Sequence, residues 1–117
     1  MTHKDLEVYK KSLDLVIMVY EVTKALPASE DYGLTSQMRR AAVSIPSNIA
    51  EGSSRGSTKD FIRFINIASG SLSELETQLL VAEKIGYFVD TKELMNSISA
   101  IRKMLYKLKQ SLSKKLN

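Results

Sequence analysis

Apolar residues recur along this chain at steps of three and four, in four separate stretches, and no stretch alternates apolar with polar. That is the period of a helix buried on one side, not of a half-buried strand. The first stretch predicts a helix from about Asp5 to Leu26, with Leu6, Tyr9, Leu13, Val16 and Tyr20 along one seam. Pro27 closes it, because the residue before a proline leaves the helical region. A second helix is expected from a Thr35 N-cap, after Gly33, to between Gly52 and Arg55. Ser57-Thr-Lys-Asp60 reads as a capping signal that opens a third helix. Its seam is Phe61, Ile65, Ala68, Leu72, Leu75, Leu79 and Ala82, and Gly86 is a natural stop. Asp90-Thr-Lys-Glu93 opens the fourth, which carries the cleanest heptad: Leu94, Ile98, Ile101, Leu105, Leu108 and Leu112. Met38, Met95 and Met104 sit at helical spacing and read as core filler.

Four helices of roughly 30–40 Å joined by short loops favour antiparallel neighbours. The expected architecture is all-α: an up-down-up-down antiparallel four-helix bundle, one domain over residues 1–117. The first helix breaks the pattern. Leu13, Leu15, Val16, Ile17, Met18, Val19, Tyr20 and Val22 point in nearly every direction. A helix in a monomeric bundle needs one apolar stripe, so the excess calls for a second cover. Leu15, Val19 and Val22 lie on a face apart from the Leu6–Leu13–Tyr20 seam. They are the expected interface of a homo-oligomer.

The second helix holds a proline in mid-pattern. Pro46 has no N–H, so the Ala42 carbonyl loses its intrahelical donor and a kink is expected there. Arg40, Ser44, Asn48 and Glu51 fall on one face around it, spaced 4, 4 and 3. Ala68-Ser-Gly-Ser71 on the third helix is small enough to let another backbone come close. These features predict a buried polar brace between the second and third helices. Arg40 would lie beside Gly70 and be buried in an ion pair with Glu74 first and Glu51 second. Asn48 would lie near Ile62.

Charge refines the picture. The net charge is +4, but residues 100–117 hold six basic groups and no acid, and residues 66–99 hold five acids and two lysines. Arg102, Lys103, Lys107, Lys109, Lys114 and Lys115, with Arg39 and Arg55 as outliers, are the candidate phosphate- or partner-binding residues. The alternating blocks also suit a head-to-tail contact between copies, in which unlike patches meet.

Catalytic chemistry finds little to work with. There is no Cys, and the only histidine is His3, so no hydrolytic triad can be assembled. Gly52-Ser-Ser-Arg-Gly56 lacks the Lys-Ser/Thr ending of a phosphate loop, and no Glu-x-x-His pair offers a di-iron site. The expectation is a protein that is not an enzyme and needs no metal or cofactor. The longest strictly apolar run, Leu15 to Tyr20, is too short to span a bilayer, and no leader pattern opens the sequence. A cytoplasmic location without membrane partners is the simplest expectation.

Tyr32-Gly-Leu-Thr-Ser-Gln-Met-Arg-Arg-Ala-Ala-Val-Ser-Ile-Pro-Ser-Asn-Ile-Ala-Glu-Gly52, followed by Gly70-Ser-Leu-Ser-Glu-Leu-Glu-Thr-Gln-Leu79, resembles the bacterial four-helix bundle protein family. That family was first noted in intervening sequences of large-subunit ribosomal RNA genes. The opening Leu6-Glu-Val-Tyr-Lys-Lys also fits, with Tyr9 where a Trp is common, and the resemblance covers roughly residues 5–90. It implies a four-helix protomer in a ring-shaped homopentamer. It further implies similarity to the accessory protein of diversity-generating retroelements, which binds nucleic acid and a reverse transcriptase. It supplies no catalytic residues. The leading reading is therefore a non-enzymatic homo-oligomer that binds RNA or DNA through a basic surface, and binds a reverse transcriptase or another protein. The alternative is a structural or protein-binding scaffold with no nucleic-acid role.

Overall fold

Local signals set the ends of four helices in this computed structural model, which describes residues 2–88 and 90–116. They are α1 (Glu7–Thr23), α2 (Leu34–Ser54), α3 (Thr58–Ile85) and α4 (Lys92–Lys114), with short 3-10 turns at His3–Asp5 and Ala28–Glu30. No strand occurs among the described residues. The molecule is elongated, 48 × 23 × 20 Å. α2 packs against α3 and α1, and α4 closes the circle by touching α3 and α1. A single core runs along the axis, with Leu15, Ile45, Ile65, Leu72, Leu79, Ile98 and Ile101 fully buried.

The caps of α3 match the signals in the sequence. The Ser57 hydroxyl accepts from the Asp60 N–H at 3.0 Å. At the other end Gly86 takes a left-handed φ of 99°, and its N–H returns to the Ala82 and Glu83 carbonyls. The start of α2 differs from expectation. Gly33, not Thr35, is the N-cap residue, and the Glu30 carboxylate supplies the acceptor for the Leu34 N–H at 3.2 Å. Thr35 is instead buried, with its hydroxyl oxygen lacking a partner among the described residues. The other Glu30 oxygen accepts from the Tyr87 hydroxyl at 3.0 Å, which ties the connection before α2 to the one after α3. That bond, with some burial and the nearby negative charge, raises the Tyr87 phenol above its usual pKa.

α2 continues through Pro46, which is buried. The α2–α3 contact is set by small residues. A Cβ added to Gly52 would stand 2.7 Å from the Phe64 Cβ and 3.0 Å from a Phe61 ring carbon. The close approach is therefore at Gly52 and not at Gly70, which has open space around it.

The two faces of α1 are exchanged relative to the sequence reading. Leu15 and Val19 have no exposed surface and belong to the core, with Val8, Ser12 and Thr23 beside them on the inner side. The free apolar stripe is Leu13, Ile17 and Tyr20, which are 43%, 63% and 40% exposed. Val22 is half-buried against the core. Two polar residues concealed the true seam. Ser12 and Thr23 can be buried because their hydroxyls donate to the Tyr9 and Val19 carbonyls, both at 2.7 Å.

Candidate nucleic-acid interface

The inward heptad of α4 fixes where its basic residues can go. With Leu94, Ile98, Ile101, Leu105 and Leu112 buried, the opposite side of the helix is open. Lys103, Lys107 and Lys114 fall on that side within an arc of about 40° and along about 16 Å. All three are exposed, and none has an ion-pair partner among the described residues. Lys109 is exposed on the flank, beside Tyr106 and Lys114 around a shallow depression. Lys115 follows the last turn and lines a cleft at the end of the bundle. The face has one exposed aromatic, Tyr106, whose hydroxyl accepts from Gln110 at 3.2 Å. It offers cationic points rather than a stacking platform.

The arginines of the candidate set behave differently. Arg102 donates to Glu76 at 2.8 Å and links α4 to α3. An ion pair this exposed contributes about 0–1 kcal/mol, so it aligns the helices more than it stabilises them. Arg55 pairs with Glu51 at 3.0 Å, and its guanidinium lies 5.0 Å from the centre of the Phe64 ring. Arg39 belongs to the fold. Its Nε donates to the Thr23 hydroxyl at 2.9 Å, a terminal nitrogen reaches the Tyr20 carbonyl at 3.4 Å, and its guanidinium carbon lies over the Tyr20 ring, 4.4 Å from its centre. The eight candidate cations therefore divide into a free lysine group on α4 and a set of tethered arginines.

The predicted brace is smaller than its residue pattern suggested. Asn48 donates to the Ser44 carbonyl at 2.7 Å and to the Ser44 hydroxyl at 2.9 Å. The Ser44 hydroxyl shares a 2.8 Å hydrogen bond with Ser71 across to α3. Arg40 lies outside the brace, against expectation. It is exposed on the outward side of α2 with Val43 and Ser47, and makes no ion pair among the described residues. Glu74 is likewise exposed without an ion-pair partner there, and Glu51 is held by Arg55. The reason is the side that Arg40 faces: it lies across α2 from the buried Ile49, so being level with Glu74 does not bring the two together. The register also differs, since the Ser44–Ser71 contact moves α3 along α2 by more than a helical turn from the expected pairing and carries Arg40 past Gly70 and Asn48 past Ile62. Only the inner edge of the four-residue face meets α3.

No group of three or more His, Cys, Asp or Glu among the described residues could hold a metal ion, and no described helix is long and apolar enough to cross a membrane. What fold and surface define is an all-helical bundle protein with a basic outer face on its last helix. Over residues 4–107 the chain matches the family described as 23S rRNA-intervening sequence protein, and it belongs to that family. It is also similar to a solved structure, a protein of unknown function from the S23 ribosomal protein family of Bacteroides thetaiotaomicron. The two are 26% identical and superpose with a TM-score of 0.80 over 88% of this chain and 95% of the other. No curated protein matches the chain.

Proposed function

We propose that this protein works without catalysis, as a homo-oligomeric helical module that holds nucleic-acid phosphates on the outer face of α4. The protomer in this reading is an up-down-up-down antiparallel bundle with α2 bent at Pro46, acting in the cytoplasm. The observation that carries the proposal is the alignment of Lys103, Lys107 and Lys114, exposed on one stripe and unneutralised by any described carboxylate. Repeating that stripe around a ring would multiply its reach, and the family resemblance suggests five copies. Binding of this kind releases counterions, so affinity falls with salt and depends little on sequence. Fluorescence anisotropy with a labelled RNA and a DNA duplex, titrated at several salt concentrations, tests it. Affinity at low salt should fall steeply as salt rises, and the triple variant Lys103→Glu, Lys107→Glu, Lys114→Glu should lose it. Binding that is absent at low salt, or indifferent to salt, removes the proposal.

A second reading, a protein-binding scaffold, is favoured by a separate observation. Leu13, Ile17 and Tyr20 on α1 and Ile67, Val81 and Ile85 on α3 are exposed apolar residues at helical spacing. Self-association through the α1 stripe serves both readings. Recovery of a protein partner after nuclease treatment, from a chain with no nucleic-acid affinity, would favour the scaffold.

A further inference from the structure

At the end of the bundle where α2 turns into α3 lies a cleft of about 790 Å³. The first 3-10 turn, the last turn of α2, the first of α3 and the last of α4 form its walls. We propose that this cleft binds a small anionic amphiphile, a carboxylate or sulfonate head on an apolar body.

The floor is apolar and open among the described residues. Leu6, Phe61 and Leu108 are half-buried around it, and Leu112 closes the bottom. The volume lies within the range of small-molecule sites, which are mostly apolar with a few polar groups that orient the ligand. The rim is cationic. Lys4 and Lys115 both line it, and no described carboxylate does. Neither lysine has an ion-pair partner among the described residues. The hydroxyls of Ser53 and Ser54 donate to the Ala50 and Glu51 carbonyls, both at 2.9 Å. Lys4 and Lys115 supply the charge for the head, with His3 and Ser111 also on the lining as neutral polar groups. A smaller cleft of about 220 Å³ shares Ser53, Phe61, Leu112 and Lys115 with this one and extends it toward Gly56.

The molecule carries its own control. A groove of about 310 Å³ between α1 and α4 has a floor of the same kind, made by Ile17, Met18, Val22 and Leu94. Its rim is Glu21, Asp90 and Glu93, the opposite sign. If charge at the rim selects the ligand, the two sites must prefer opposite head groups.

Amide NMR of the full chain, titrated with decanoate and separately with decyltrimethylammonium below their micellar concentrations, tests this. Decanoate should shift amides around Leu6, Ser53, Phe61 and Leu112, while the cationic probe should leave these in place and move those around Val22 and Leu94. Lys4→Glu with Lys115→Glu should weaken decanoate about tenfold or more. Both lysines lie outside the Lys103, Lys107 and Lys114 stripe, so nucleic-acid binding by that stripe can fail or survive separately. Decanoate shifts located elsewhere, equal occupancy of the cleft by both probes, or affinity unchanged in the double variant would each overturn the proposal.

Discussion

The α2–α3 hairpin and α1 are both largely apolar on their inner sides, yet they specify their packing in different ways. The hairpin uses particular small and polar residues at particular places. Gly52 admits the Phe61 and Phe64 side chains, and Ser44, held by Asn48 on its own helix, shares a hydrogen bond with Ser71 across to α3. These contacts admit one register. α1 uses bulk. It has two apolar seams of similar length, and the choice between them rests on which polar residues can satisfy themselves when buried. A helix of the first kind is locked along its length, and one of the second kind is held in place by its neighbours.

The sharpest way to break this comparison is to place one charge on each face of α1. Val19 is fully buried, so Val19→Asp must bury an unpaired carboxylate. It should cost about 4–5 kcal/mol, a large share of the stability of a domain of this size. Circular dichroism should report a largely unfolded chain. Ile17→Asp puts the same group on the exposed stripe and should leave the fold intact while reducing the assembly to smaller species by light scattering. A wild-type chain that is already monomeric at micromolar concentration removes the assembly half of the comparison.

Glycine substitutions separate packing from propensity. Gly52→Ala gains helix propensity of about 1 kcal/mol. Its new methyl would press on the Phe64 Cβ, which cannot rotate away, and overpacking of that kind costs about 1–3 kcal/mol. The clash should win and lower the urea midpoint. Gly70→Ala meets nothing and should raise stability by about 0.5–1 kcal/mol. If both alanines stabilise, Gly52 is not the point of contact.

The smallest effects concern the polar face of α2. Asn48→Ala removes two hydrogen bonds at a half-buried site and should cost about 1–2 kcal/mol. Arg40→Ala, on the exposed side, should stay within about 0.5 kcal/mol of wild type in chemical denaturation. Equal losses would restore Arg40 to the brace.

These contrasts show what could be seen in the sequence. The helix ends marked by Ser57 and Gly86 were visible because single residues impose those conformations. Pro27 pointed to an end at Leu26, but α1 stops at Thr23 and Pro27 instead caps the 3-10 turn Ala28–Glu30. The seam of α4 was visible because that helix has one apolar stripe, and that of α3 because its inner heptad is unbroken although Ile67, Val81 and Ile85 stand exposed outside it. The inner face of α1 was not, because Ser12 and Thr23 look like surface residues until their bonds to backbone carbonyls are known. The register of α2 against α3 was also hidden, since spacing places residues on a face but not along it. Gly52 next to a turn and two phenylalanines soon after it was the available signal for that contact. The lysine stripe on α4 follows from the heptad opposite, so its alignment could be read. The tethering of Arg39, Arg55 and Arg102 depends on partners that spacing does not identify.

Arg39 has one more consequence. α1 has no basic residue in its last turn, and the cation at its C-cap, Lys24, is turned to Glu21 at 3.2 Å. The cation that reaches its last carbonyls comes from α2, where Arg39 meets the Tyr20 carbonyl and the Thr23 hydroxyl. The C-terminal end of α1 is thus completed by a residue that arrives only when the second helix has docked. A peptide of α1 alone should fray from that end, and hydrogen exchange in the intact chain should show its last turn opening together with the first turns of α2. The two helices form one cooperative unit, joined by a cation that α2 supplies to the end of α1.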